Sequence, residues 1–353
     1  MLAGFVRLAL GDQHSMAIKQ DGSVWSTAVD LHGVFVGSTR RYFQQVFASG
    51  GMAVSAGNAF SLVLQQDGNV WGMGRNSRGQ LGDGTKLQKT EFSFLIKLFG
   101  AKDVAAGGLH SMVRTQAGHV WATGWNRHGQ LGVDGVTFYA SKFRQVISSG
   151  VEAVAAGDLH SMAVNRDGSV WATGRNNNGQ LGDESKSDRS TFVKVVSGGV
   201  TDVAAGGYHS MVLKQDGSVW ATGWNKHGQL GDGSTTDRIN FVAVVSSGAK
   251  IIAAGRQHSM VLKQDGSVWV TGRNFYGELG DGSTRNRNIF VPVISDGVTA
   301  VAAGACHSMV LKQDGSIWVT GSNKDGQFGD GSTASENRFV RLSPSIFGAG
   351  MTR

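Results

Sequence analysis

Cysteine and proline are nearly missing from this chain. Of its 353 residues, one is cysteine, Cys306, and two are proline. A single thiol builds neither a disulfide framework nor a cysteine-based zinc site. So little proline excludes collagen-like and proline-rich disordered classes. No run approaches the ~18 apolar residues of a membrane span. The N-terminal stretch MLAGFVRLALGDQHS has no separate cleavage region, so no signal peptide is read and no membrane partner is expected. With no mark of an oxidising compartment, the cytosol or nucleus is the expected location. Enzyme signatures are lacking too: there is no G-x-x-x-x-G-K-[ST], H-E-x-x-H or C-x-x-C. No covalent chemistry, cofactor or metal is therefore expected.

What the chain does have is glycine, with 53 residues, roughly twice the usual share. That favours many tight turns. Hydrophobic residues make up 40% and charged residues 17%, which allows a sizeable core and argues against global disorder. The formal net charge of +7 permits acidic partners such as phosphates or acidic protein surfaces.

Repetition decides the fold. His-Ser-Met recurs at His14, His110, His160, His209, His258 and His307, and Phe60-Ser61-Leu62 fills the one gap, at spacings of 46 to 50 residues. Trp25, Trp71, Trp121, Trp171, Trp220, Trp269 and Trp318 follow in step. In the unit Phe192 to Arg238, strands are expected over 192–196, 203–206, 209–214 and 219–222, with an Asp216-Gly217 hairpin turn and a long loop from Gly223. No helical period appears. Four antiparallel strands in each of seven units predict an all-β, seven-bladed β-propeller forming a single domain. The repeats fall near 6–46, 47–96, 97–146, 147–195, 196–244, 245–293 and 294–342, with a tail at 343–353. If the Phe192 strand opens its unit, the chain begins at a second strand (Val6 to Leu10) and ends with an orphan first strand (Arg338 to Leu342). The C-terminal strand is then expected to complete the first blade, which closes the ring and argues for a complete, monomeric domain.

The pattern Ala204 to Gly231, A-A-G-x-x-H-S-M-V-L-x-x-D-G-x-V-W-x-T-G-x-N-x-x-G-Q-L-G, closely resembles the repeat of the regulator-of-chromosome-condensation family over about 340 of the 353 residues. The resemblance implies a seven-bladed propeller scaffold shared by unlike functions. Members include a nucleotide exchange factor for the small GTPase Ran that also binds chromatin. Others are propeller modules of HECT-type ubiquitin ligases, the plant ultraviolet-B photoreceptor and a bacterial β-lactamase inhibitor. A small GTPase, a ubiquitin-pathway component or chromatin are the partners this implies. The photoreceptor's G-W-R-H-T is matched here by Gly207-Tyr208-His209-Ser210 and its counterparts, without tryptophan. Repeats of this length leave no room for the exchange factor's inserted wedge.

Binding is expected where the repeats differ. The pair before His-Ser-Met and the loop after the tryptophan strand lie at one end of each blade, and that end varies strongly. At the G-x-N position stand Val29, Arg75, Trp125, Arg175, Trp224, Arg273 and Ser322. Arginine and aromatic residues are the usual anchors of interfaces. The expected partner-binding set is Arg75, Trp125, Arg175, Trp224, Arg273, Phe275 and Tyr276, with Arg127, Lys226 and Tyr208 beside them. Each arginine could also stack on the neighbouring tryptophan and brace adjacent blades. Arg40, Arg41, Lys86, Lys89, Arg238, Arg285 and Arg287 form a basic rim open to a nucleic-acid reading, and the Asp232 to Asp237 loop offers carboxylates to a divalent cation. The histidines are expected to tie strands or loops together, and the tryptophans to pack between blades.

Overall fold

A computed structural model describes residues 5–28, 40–135 and 138–344. The expected loop residues Val29, Leu31 and His32 lie outside them, as does the end of the tail. The described residues form 28 strands, numbered β1 to β28 along the chain, in seven four-stranded antiparallel sheets. Among the described residues no helix is long and apolar enough to cross a membrane.

The fifth blade shows how the sequence builds one sheet. Its strands are β17 (Val200–Ala205), β18 (His209–Lys214), β19 (Val219–Gly223) and β20 (Arg238–Val245), hydrogen-bonded in that order from the axis outward. Small residues close β17 because inner strands converge on the axis. β18 is buried along nearly its whole length, so both its faces pack and its residues are apolar or hydroxylated. Gly217 turns β18 into β19 at φ 76, while the Asp216 carboxylate accepts from the Ser218 amide at 2.8 Å. This Asp-Gly-Ser turn defines a uniform turn face. The long loops after β19 and its equivalents define the opposite, loop face.

The core lies between blades. One cluster joins Met162, Val164 and Val170 of the fourth blade to Val200, Val203 and Val212 of the fifth, with Trp220 half-buried against it. The tryptophans thus pack at blade junctions, near the turn face, with Lys214 3.9 Å over the Trp220 ring.

In every blade but the second, histidine links the blade to the next. His209 Nε2 lies 2.8 Å from Ser259 Oγ, and that hydroxyl donates to the Gln229 carbonyl at 2.7 Å. A hydroxyl has one proton, so the imidazole must donate from Nε2, and burial, which lowers His209 to about 3, keeps it neutral at pH 7. The same link joins His160 to Ser210, His258 to Ser308 and His307 to Ser15. Thr222 Oγ1 donates to the Gly179 carbonyl of the preceding blade at 2.9 Å.

Two sequence expectations change. The strand containing Phe192, β16 (Arg189–Val196), pairs with β15 (Val170–Gly174) and is the outer strand of the fourth blade, not the first strand of the fifth. The C-terminal strand β28 (Glu336–Arg341) likewise pairs with β27 (Ile317–Gly321) and completes the seventh blade, not the first. The first blade has its own outer strand, β4 (Arg40–Phe47). The ring closes by packing instead. β1 (Phe5–Leu10) meets β25 (Val298–Ala303) and β26 (His307–Lys312), Ser15 Oγ bonds His307 Nε2 at 3.0 Å and the Gln327 carbonyl at 2.8 Å, and Phe43 and Phe328 share one apolar cluster.

Candidate functional site: the loop face

In the second to seventh blades each loop contains a buried asparagine. Gly223 ends β19 at φ 106, and a Cβ there would lie 2.6 Å from the Tyr208 carbonyl. Asn225 then turns inward, fully buried. Its Nδ2 donates to Asp232 Oδ1 at 3.0 Å and to the Thr236 carbonyl at 3.1 Å, and its Oδ1 accepts from the Leu230 amide at 3.0 Å. Asn76, Asn176 and Asn274 repeat this knot. With the backbone fixed from below, the residues flanking the asparagine are left free to vary and point outward.

Many of the expected site residues meet there. Arg175 lies 5.8 Å over the Tyr208 ring. Tyr208 meets Trp224 edge-on at 5.8 Å, Trp224 meets His227 at 5.3 Å, and His227 meets Phe275 at 5.5 Å. Arg273 covers Phe275 at 4.9 Å and Tyr276 at 5.2 Å, and Lys324 lies 4.6 Å from the Tyr276 ring. One unbroken arc of rings and cations thus crosses the fourth to seventh blades. Trp125 stands apart with Arg78 at 5.3 Å and His128 at 5.9 Å. Arg75 bonds Ser77 at 3.2 Å. Arg127 and Lys226 are exposed. The imagined brace, a G-x-N arginine on the next G-x-N tryptophan, gives way to Arg175 on Tyr208 and Arg273 on its own loop's rings.

Three features were not singled out from the sequence as a site. Glu278 replaces the glutamine of the other loops. It is buried, with Oε2 accepting from the Tyr276 amide at 2.7 Å and Oε1 3.8 Å from Arg273 Nε, and burial raises its carboxyl above the usual range. Arg256 reaches across the axial mouth to Asp158 at 3.3 Å and Asp12 at 3.8 Å, joining the sixth blade to the fourth and first. Burial, with Asp158 adding to it against the pull of Arg256, lifts Asp12 to about 6. Below this mouth lies a central cavity of about 440 Å³. A recess of about 380 Å³ adjoins it where Ser322 and Cys306 stand in place of larger residues. The signal was there, in departures from the repeat at Arg256, Glu278 and Ser322, but their meeting depends on the ring.

Three of the rim cations are engaged. Lys89, Arg238 and Arg287 pair with Asp83, Asp232 and Asp281 at 3.0, 2.7 and 2.6 Å. For Asp232, burial raises the carboxyl, but Arg238, Ser234 and Asn225 outweigh it and hold it below its usual range. Its oxygens are committed to the loop rather than open to a cation, and Asp237 accepts from the Asn225 amide at 2.9 Å. Among the described residues no group of three or more His, Cys, Asp or Glu could hold a metal ion.

The RCC1-like domain family model matches residues 2–245. The chain belongs to the RCC1-like domain family. Models of the regulator of chromosome condensation (RCC1) repeat match residues 249–278, 298–327 and 265–311. No curated protein sequence matches. Human WBSCR16 is similar in structure at 23% identity and a TM-score of 0.76, covering 86% of this chain and 84% of that one. Prp20p of Saccharomyces cerevisiae is similar at 19% identity and a TM-score of 0.77, covering 92% and 84%. At such identities these likenesses establish the RCC1-like propeller fold alone.

Proposed function

We propose that this RCC1-like propeller is a non-enzymatic interaction module that grips a protein partner with its loop face. The carrying observation is the arc of ring and cation contacts from Arg175 to Lys324, laid where the repeats differ and on loops fixed from beneath. Trp125, Tyr208, Trp224, Arg273, Phe275 and Tyr276 are its anchors, with Arg75, Arg127, Arg175 and Lys226 around them. A few partly desolvated aromatic and arginine side chains carry most of the affinity in such interfaces. Phe275 is 54% exposed and is the most accessible ring of the set. Replacing Trp125 and Trp224 together with alanine should abolish partner capture while leaving the thermal melt nearly unchanged. Capture at the original level by that variant removes this face from consideration.

A second function, exchange of guanine nucleotide on a Ran-like GTPase, draws on family membership and on Prp20p, studied for its binding to Gsp1p and histones. It needs no covalent step, since stabilising the nucleotide-free GTPase is enough to speed release. Release of a fluorescent guanine nucleotide should then accelerate about a hundredfold, worth ~2.7 kcal/mol of barrier. An unchanged release rate at saturating propeller rules exchange out. Binding of chromatin, or of nucleic acid through the rim, draws less support, because Lys89, Arg238 and Arg287 already hold carboxylates. A nuclear or cytosolic location and a monomeric state accompany the proposal.

A further inference from the structure

We infer that the partner segment lying on the arc is acidic, an extended stretch of protein whose carboxylates meet the arc's cations. The inference rests on the loop face being the docking face.

Charge supports it first. Among the described residues, Arg78, Arg127, Arg175, Lys226 and Lys324 have no carboxylate within ion-pair distance, whereas Lys89, Arg238 and Arg287 of the rim are paired. Of the acids beside the arc, Asp188 is bonded to His128 at 2.8 Å, Glu278 is buried against Arg273, Asp12 and Asp158 face Arg256, and Asp325 lines the recess beside Lys324 without an ion pair to it. The five cations therefore have room for a counter-charge from outside. Desolvated pairing of this kind gives both specificity and speed of association.

The cations over the rings favour a protein over a single-stranded nucleic acid. A base needs an open ring face to stack on. Here a cation already lies over a face of four rings: Arg78 over Trp125, Arg175 over Tyr208, Arg273 over Phe275 and Tyr276, with Lys324 over Tyr276 as well. Trp224 stands edge-to-face with Tyr208 and His227. What the arc offers outward is the exposed Phe275 ring with exposed Arg78, Arg127, Lys226 and Lys324 around it. A guanidinium carries five N–H donors, so Arg175, with Nε–H given to Asn177 at 2.9 Å, still has terminal donors that suit a carboxylate. Cations stand at both ends of the arc and at Arg273 within it, with rings between them, so a segment carrying acids with interspersed apolar residues would match both.

The test uses the full chain and fluorescence anisotropy at moderate salt. The probes are a labelled peptide of repeating Glu-Glu-Glu-Phe, its Gln and Lys counterparts, and an oligothymidylate of matching length. The Glu peptide should bind at least about tenfold more tightly than each other probe, a difference of about 1.4 kcal/mol. Arg175→Gln, Lys226→Gln and Lys324→Gln combined should weaken it by a similar factor. Lys97→Gln, Lys102→Gln and Lys250→Gln combined, which remove the same charge from the turn face, should change it less than roughly twofold. No binding of the Glu peptide, equal binding of the Gln peptide, or tighter binding of the oligonucleotide overturns the acidic class. If Trp224→Ala abolishes Glu and Gln peptide binding alike, the docking face stands and only the acidity falls. If the turn-face variant loses as much as the arc variant, the docking face itself falls.

Discussion

His209 shows how one residue type can be scaffold in six places. Its Nε2 proton goes to Ser259 of the next blade, and its Nδ1 lone pair is buried without a hydrogen-bond partner. The ring rests on Gly206, where a Cβ would strike His209 and lie 2.5 Å from the Gly255 carbonyl. Phe60 occupies the same position in the second blade, fully buried and resting on Gly57 in the same way. The fold has therefore already tested an aromatic ring without the hydrogen bond. His209→Phe should fold and lose about 1 kcal/mol, the net worth of one hydrogen bond, because Ser259 still donates to Gln229. Chemical denaturation against the parent measures it. A loss several times larger would mean that the imidazole does more than link two blades. The sequence made a structural histidine legible, since near-identical copies do not converge on one ligand. It could not name the serine, which lies 50 residues on in the following repeat.

At the scale of the element, the loops were legible as variable but not as rigid. Asn225 looked like part of a turn signature. Its burial and its bonds to Asp232, Thr236 and Leu230 make it the post on which the exposed residues are mounted. Asn225→Ala strands the Leu230 amide and frees the loop, and should cost about 2–4 kcal/mol. Capture of a partner by the loop face should weaken with it, because Trp224 is its chain neighbour. The matched pair Asn225→Ala and Trp224→Ala separates the effects: the first lowers the melting temperature, and the second lowers capture alone. A melt unmoved by Asn225→Ala would contradict the knot. Strands were also legible, from short apolar runs between Asp-Gly turns and the lack of a helical period. Blade membership was not. A cyclic repeat can be cut at any point without changing its period, and only hydrogen bonding between β15 and β16, and between β27 and β28, shows where one sheet ends.

For the whole molecule, the ring couples these histidines into one acid response. Burial lowers His14, His160 and His258 to about 4, and His110, His209 and His307 to about 3, with neighbouring charges adding to it at several. In the unfolded chain each titrates near 6.5. Between those values the unfolded state holds protons that the native state refuses, so stability is fully present above about pH 6.5 and is lost as pH falls. Each histidine contributes up to about 1.4 kcal/mol per pH unit once its unfolded form is protonated. Asp12 and Asp202 act oppositely. Burial lifts both to about 6, so the native state gains protons there first, and acidification between about 6 and 3.8 is partly compensated. Burial raises Asp103, Asp158 and Glu278 in the same sense. The histidines retain the larger effect because their shifts are larger and all six act together. Unfolding free energy should be flat above pH 7 and fall progressively from pH 6.5 towards pH 4. His209→Phe should make that fall shallower by about one proton, since the variant has one fewer buried imidazole to charge. Urea unfolding at intervals across this range measures the slope. A profile flat down to pH 5 would mean that the imidazoles accept protons at Nδ1 inside the ring, where burial and, at His209, the lack of any acceptor beside Nδ1 oppose the charge.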